Sequence, residues 1–271
     1  MYNLIALDID GTLLNSDKKV TKEVFDAIQQ AKSIGKKVVL STGRPLPGVV
    51  DLLEELNLCD EGDYVICFNG AVVQEVKTNK VISNIEMTLD DFKLINKFAK
   101  ANNTNIHINT PTGLVIDVDE PSKYTLVESN ICKLNIDVIK QEDMKEGDIS
   151  LCKVMIVDEP EKLDALIPSI PQELMDNYTV VKSAPFFLEF LNKDAHKGNA
   201  LSKLCDAINI NISQSIAVGD QENDKHMIEM AGLGVAMGNA IDSIKSIANH
   251  ITDTNDNHGV AKVIHDFMLN K

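Results

Sequence analysis

The chain has no tryptophan, and aromatic residues fill only 4% of its 271 positions. Its cores must therefore be aliphatic. Positive charge is also short, with 26 Lys and Arg against 41 Asp and Glu, for a net charge of −15. A field of that sign repels nucleic acid and anionic membrane, which argues against both as partners. It would repel an anionic substrate as well, unless a metal and a few placed cations reverse the field locally. The cysteines are few, odd in number and scattered (Cys59, Cys67, Cys132, Cys152, Cys205). No CxxC or Cys/His ligand spacing appears, which argues against a disulfide framework and against structural zinc. Reduced thiols in a cytoplasmic protein are the better account. Long apolar runs are missing, and no basic-then-apolar leader precedes the first strand-like segment, so a cytoplasmic location is expected. The sequence carries no signal of oligomeric state.

What is present is an alternation. Leu4–Leu7 predicts a strand, and Val24, Phe25, Ile28 and Ala31 recur at helical spacing over 21–34. A strand over 37–40, a helix over 45–56 and a strand over 64–67 follow, with Asn69-Gly70 as a turn signal. Such alternation predicts an α/β fold, a doubly wound parallel sheet with helices on both faces. The pattern changes between about 83 and 188, where strand-like stretches surround two helical ones (89–101 and 160–167). After Lys193 the alternation returns. The expectation is a discontinuous core, residues 1–83 and 189–271, interrupted by an inserted α+β domain over 84–188.

Four segments carry chemistry. Asp8-Ile9-Asp10-Gly11-Thr12 follows the first strand. Alternation along a strand would point Asp8 and Asp10 the same way, and two carboxylates share a site cheaply only with a cation or a proton. A hard-cation site with one carboxylate free to attack is the functional reading; a strand ending in an acidic turn is the plain one. Ser41-Thr42-Gly43-Arg44-Pro45 joins a strand to a helix start, which suits anion binding and equally suits simple capping. Lys197 opens the segment that returns the chain to the core, where it could neutralise an attacking carboxylate and a phosphoryl oxygen together. Gly219-Asp220-Gln221-Glu222-Asn223-Asp224 repeats the first arrangement, an apolar strand followed by acids. Asp220 could complete a cation site with Asp8 and Asp10, Asp224 could hold bound water, and Asn223 could bind a ligand oxygen or cap a helix. An all-oxygen ligand set favours Mg2+. All four segments fall where ligands bind in open α/β sheets, beyond the carboxyl ends of strands.

Taken together and in this order, the four segments resemble the motifs of the haloacid dehalogenase-like hydrolases. Asn69-Gly70-Ala71 and 234–240 resemble the Cof-type branch, which carries a large α/β cap, and 185–201 is similar to its sugar-phosphatase (YidA-like) members. The resemblance implies that Asp8 is a nucleophile forming an aspartyl-phosphate. It implies that Asp10 is the acid and base, and that Mg2+ is held by Asp8, the Asp10 carbonyl and Asp220, with Asp224 behind. Phosphoryl oxygens would be bound by the Ile9 amide, Thr42, Gly43, Lys197 and Asn223. Residues 11–14 resemble the mobile segment beside the nucleophile, and the cap would select the leaving group.

The implied function is a Mg-dependent phosphatase of small phosphorylated metabolites, most readily sugar phosphates. Pyridoxal phosphate, a nucleotide or a flavin phosphate are alternative substrates. A phosphomutase uses the same intermediate but usually carries a small helical cap. A dehalogenase needs no acid at Asp10. A non-catalytic phosphometabolite sensor would need neither Asp8 nor Asp10, and a two-component receiver domain has no place for the insert.

Overall fold

The computed structural model describes residues 2–269. In chain order, β1 (Leu4–Leu7) is followed by α1 (Lys22–Ser33), β2 (Lys37–Ser41), α2 (Val50–Glu55), β3 (Tyr64–Cys67), β4 (Val72–Glu75) and β5 (Val81–Asn84). Next come α3 (Leu89–Ala101), β6 (Asn105–Asn109), β7 (Gly113–Ile116), α4 (Lys123–Cys132) and β8 (Asn135–Val138). β9 (Lys153–Val157), α5 (Pro160–Leu166), α6 (Gln172–Asn177), β10 (Tyr178–Ala184) and β11 (Phe187–Asn192) follow. The chain closes with α7 (Lys197–Ala207), β12 (Ser215–Gly219), α8 (Lys225–Met230), β13 (Leu233–Ala236), α9 (Asp242–Ile247), β14 (His250–Ile251) and α10 (Gly259–Ile264). These elements form two compact units: one combines the chain up to Ser83 with the chain from His196, and the other is Asn84–Ala195.

The first unit is a mixed α/β fold on an eight-stranded sheet of order β14-β13-β12-β1-β2-β3-β4-β5. From β14 to β3 neighbouring strands pair parallel, and β4 then turns back antiparallel to β3. The sheet is therefore not purely parallel. The Asn69-Gly70 turn is too short for a crossover helix, and a tight turn returns the chain antiparallel. β1 lies in the middle, between β2 and β12, and is solvent-free along its whole length. Strands buried on both faces read as unbroken apolar runs, as Leu4-Ile5-Ala6-Leu7 does. On α1 the buried residues are Val24, Ala27, Ile28 and Ala31, one stripe at helical spacing. The helix expected over 45–56 is split into a 3-10 turn at Leu46–Gly48 and α2. Pro47 supplies no amide to a continuous helix and Gly48 disfavours one, which accounts for the break.

The second unit is a six-stranded sheet of order β10-β11-β9-β6-β7-β8. One face packs Ile106, Ile108, Val154, Ile156 and Phe190 against Phe92 and Ile95 of α3 and Leu163 of α5. The opposite face packs Met155, Val157 and Phe187 against Tyr124 of α4. Lys153 is buried on this unit, paired with Glu189 at 3.0 Å. Among the described residues no helix is long and apolar enough to cross a membrane. The five cysteines are free thiols, four of them buried.

Candidate active site

Parallel pairing brings the carboxyl ends of β1, β2, β3, β12 and β13 to one edge of the first sheet, so residues far apart in sequence meet there. Asp8 directly follows β1 and Asp220 directly follows β12. The carboxylates of Asp8, Asp220 and Asp224 each offer an oxygen within 4.8 Å of the others, and all three residues are buried. Lys197, the first residue of α7, is completely enclosed and donates to Asp8 Oδ1 at 2.6 Å and to Asp224 Oδ1 at 2.7 Å.

Three enclosed carboxylates around one ammonium leave negative charge uncompensated. Burial, reinforced by Asp224 and Asp220 against the pull of Lys197, raises the Asp8 carboxyl to about 7. Burial likewise raises Asp220. Burial alone would lower Lys197, but Asp8 and Asp224 outweigh it and hold the ammonium above its ordinary value. A small divalent cation fits this donor set: the ligands are all oxygen, and two positive charges balance what Lys197 leaves over.

The local contacts differentiate the acids. Asp224 spends Oδ1 on Lys197 and Oδ2 on the amides of Asp220 and Gln221 at 2.9 and 3.1 Å. It thereby braces the loop that carries Asp220. Asp220 is oriented by Thr12 Oγ1, which donates to Oδ1 at 3.0 Å, and by Gln221 Nε2, which donates to Oδ2 at 3.2 Å. Gly11 takes φ +86°, and a Cβ there would sit 2.5 Å from Asp220 Oδ2. Only glycine lets the turn after Asp10 pass so close to that carboxylate.

Asp10 does not join the cluster through its side chain. β1 ends at Leu7, so strict alternation stops before Asp8 and the two carboxylates diverge. Asp10 Oδ1 accepts from Lys18 at 3.0 Å and Oδ2 from Arg44 at 2.8 Å. Partial burial opposes ionisation, but these two cations prevail and lower the Asp10 carboxyl. Thr42 is buried beyond β2, where its hydroxyl accepts from the Arg44 amide at 3.1 Å. Neither the Ile9 nor the Gly43 amide donates to another described residue. Asn223 is exposed and donates its Nδ2 to Asn69 Oδ1 at 3.1 Å.

Sequence reasoning did not single out the residues that secure the 11–16 segment. Asn239 Nδ2 donates to the Gly11 carbonyl and Asn255 Nδ2 to the Leu14 carbonyl, at 2.8 and 2.9 Å. Asp256 accepts from the amide and hydroxyl of Ser16 at 2.8 and 2.7 Å. Leu13 and Leu14 are buried. The resemblance of 234–240 to the Cof-type branch was the available signal for Asn239, and nothing marked Asn255 or Lys18.

Comparison with known proteins matches residues 5–264 to the haloacid dehalogenase-like hydrolase family. YxeH of Bacillus subtilis is 44% identical over 271 residues, which is all of both chains. The 5-amino-6-(5-phospho-D-ribitylamino)uracil phosphatase YcsE of the same organism is 32% identical over 268 residues, covering 98% of this chain and 96% of YcsE. The crystal structure of a haloacid dehalogenase-like hydrolase from Bacteroides thetaiotaomicron superposes with a TM-score of 0.82 at 30% identity, covering 98% of this chain and 99% of that one. The chain belongs to the haloacid dehalogenase-like hydrolases and is an enzyme, a phosphatase of that family.

Proposed function

We propose that this phosphatase hydrolyses small phosphorylated metabolites, sugar phosphates foremost, through an aspartyl-phosphate on Asp8. The observation that carries the reading is the buried Asp8 carboxylate held by Lys197 beside Asp220 and Asp224. Asp8, the Asp10 carbonyl and Asp220 would hold Mg2+, with Asp224 bracing the Asp220 loop. Bound there, the ion supplies positive charge against the carboxylates and the phosphoryl oxygens.

An Asp8 oxygen attacks phosphorus, and the bond from phosphorus to the ester oxygen breaks. Asp10 gives its proton to the departing alkoxide. It then takes a proton from water, whose oxygen attacks phosphorus and frees Asp8 and inorganic phosphate. Lys18 and Arg44 favour the ionised, proton-accepting form of Asp10. Loosening either contact would favour the protonated form that serves the leaving alcohol. Thr42, Lys197, Asn223 and the free amides of Ile9 and Gly43 would receive the phosphoryl oxygens, supplying the positioning and charge neutralisation that phosphoryl transfer needs. The second unit would choose the leaving group.

The preference for sugar phosphates rests on the similarity of 185–201 to the sugar-phosphatase members of the branch. A second substrate is favoured by YcsE, whose ribitylamino-uracil phosphate belongs in any panel. The test is phosphate release from phosphorylated sugars, pyridoxal phosphate, nucleotides, flavin phosphate and that compound, with magnesium or chelator. Wild type is assayed beside Asp8→Asn. Release that needs magnesium and vanishes in the variant is expected. Turnover by Asp8→Asn, or full activity in chelator, would overturn the mechanism.

A further inference from the structure

The turn after β3 is held in an unusual conformation. Phe68, Asn69 and Gly70 all have positive φ, at 51°, 54° and 105°. Phe68 thus holds a conformation that bulky side chains rarely adopt, whereas asparagine tolerates it. Main-chain contacts impose it. The Asn69 amide donates to the Thr42 carbonyl at 2.9 Å and the Phe68 amide to the Arg44 carbonyl at 3.2 Å. A Cβ on Gly70 would lie 2.4 Å from the His196 carbonyl oxygen and 2.8 Å from the Lys197 nitrogen. The turn is wedged between the Thr42–Arg44 segment and the entry to Lys197.

That wedge presents the Asn69 side chain. A carboxamide has one accepting and one donating end. Asn69 Oδ1 is spent on Asn223 Nδ2, so Asn69 Nδ2 must face elsewhere. It donates to no other described residue, and it lies 3.2 Å from where a Cβ on Gly43 would stand. An unused donor on a partly buried side chain therefore stands beside Gly43, whose own amide is also unused, on a residue tied to Thr42 through its amide and to Asn223 through its Oδ1.

We propose that Asn69 is a further phosphoryl-binding residue: Nδ2 donates to a phosphoryl oxygen while Oδ1 fixes the amide of Asn223. The proposal rests on the reading of Thr42, Gly43, Lys197 and Asn223 as the phosphoryl site. Asn69→Gly removes the side chain and keeps the turn, since glycine adopts positive φ without strain. Asn69→Asp keeps an acceptor for Asn223 and a residue type that tolerates this conformation, but deletes the donor.

Calorimetric titration with inorganic phosphate, in magnesium, compares wild type, both variants, Asn223→Ala and Asn69→Gly/Asn223→Ala. Hydrolysis of p-nitrophenyl phosphate is followed alongside. Each Asn69 variant should weaken phosphate by about tenfold to a hundredfold, the range for a hydrogen bond to a charged group. KM should rise with it, and Asn69→Gly should still weaken phosphate when Asn223 is already alanine. Unchanged phosphate affinity in either variant overturns the proposal. So does an Asn69→Gly effect that disappears in the Asn223→Ala background, because Asn69 would then act only through Asn223. Wild type that binds phosphate but hydrolyses nothing sinks the phosphatase mechanism, while the affinities still decide Asn69. Wild type that binds no phosphate overturns both.

Discussion

Lys197 Nζ donates to Asp8 Oδ1 at 2.6 Å across a separation of 189 residues, with the lysine wholly enclosed. Removing one partner of a buried ion pair leaves the other unpaired. Lys197→Met should therefore lower stability by about 3–5 kcal/mol and abolish turnover. Magnesium should return part of the stability, because it neutralises the same carboxylates in the folded state only. Urea unfolding with and without magnesium checks both parts. Wild-type stability in chelator would show that the pair contributes nothing.

Gly11→Ala places a methyl group against Asp220 and strains a backbone at φ +86°. The strain should cost about 1–2 kcal/mol. The larger effect should be on the ion, since Asp220 must move off its contacts with Thr12 and Gln221. Calorimetric titration with magnesium should show affinity reduced by roughly tenfold or more, as for other disturbed ligand supports. Unaltered affinity would mean that Asp220 is not a ligand.

His107 is fully buried in the second unit, with Nδ1 3.2 Å from Thr125 Oγ1. Burial, with help from the nearby Lys153 charge, lowers its pKa to about 3. An unfolded histidine titrates near 6.5, so between these values the unfolded chain binds a proton that the folded chain refuses. Stability from this group is present above pH of about 6.5 and is lost at about 1.4 kcal/mol per unit as pH falls toward 3. Calorimetric unfolding of wild type and His107→Gln between pH 7.5 and 5 should show a shallower decline in the variant. Parallel declines would refute it.

Asn239 and Asn255 tie the Gly11 and Leu14 carbonyls to loops near the C-terminal end of the chain. Asn239→Ala and Asn255→Ala should each cost about 1 kcal/mol. Hydrogen exchange should accelerate in residues 11–16 and stay unchanged in β6 of the second unit. Equal acceleration in both would mark global destabilisation instead of a released tether.

Much of the first unit was legible because its strands are apolar runs ending in acids or small polar residues. Leu4–Leu7 and Tyr64–Cys67 read directly as strands because, Tyr64 aside, their residues are buried on both faces. α4 was illegible for the opposite reason. It buries Thr125 and Glu128 and exposes Leu126 and Ile131, so its apolar period points away from its packed face. The acids of the site could be located by their place after strands. What each carboxylate touches could not, because Lys18 and Arg44 claim Asp10 through side-chain reach that sequence spacing does not encode.

The position of β1 also sets a timetable. One of its neighbours, β2, is made soon after it, but the other pairs Leu4 with Ser215. At about 5–20 residues per second, a ribosome needs roughly ten to forty seconds to supply that second partner. Through that interval the central strand of the finished sheet is an apolar edge awaiting hydrogen bonds, and Asp8 has no Lys197 to meet. The chain is therefore most open to wrong pairing before β12 emerges.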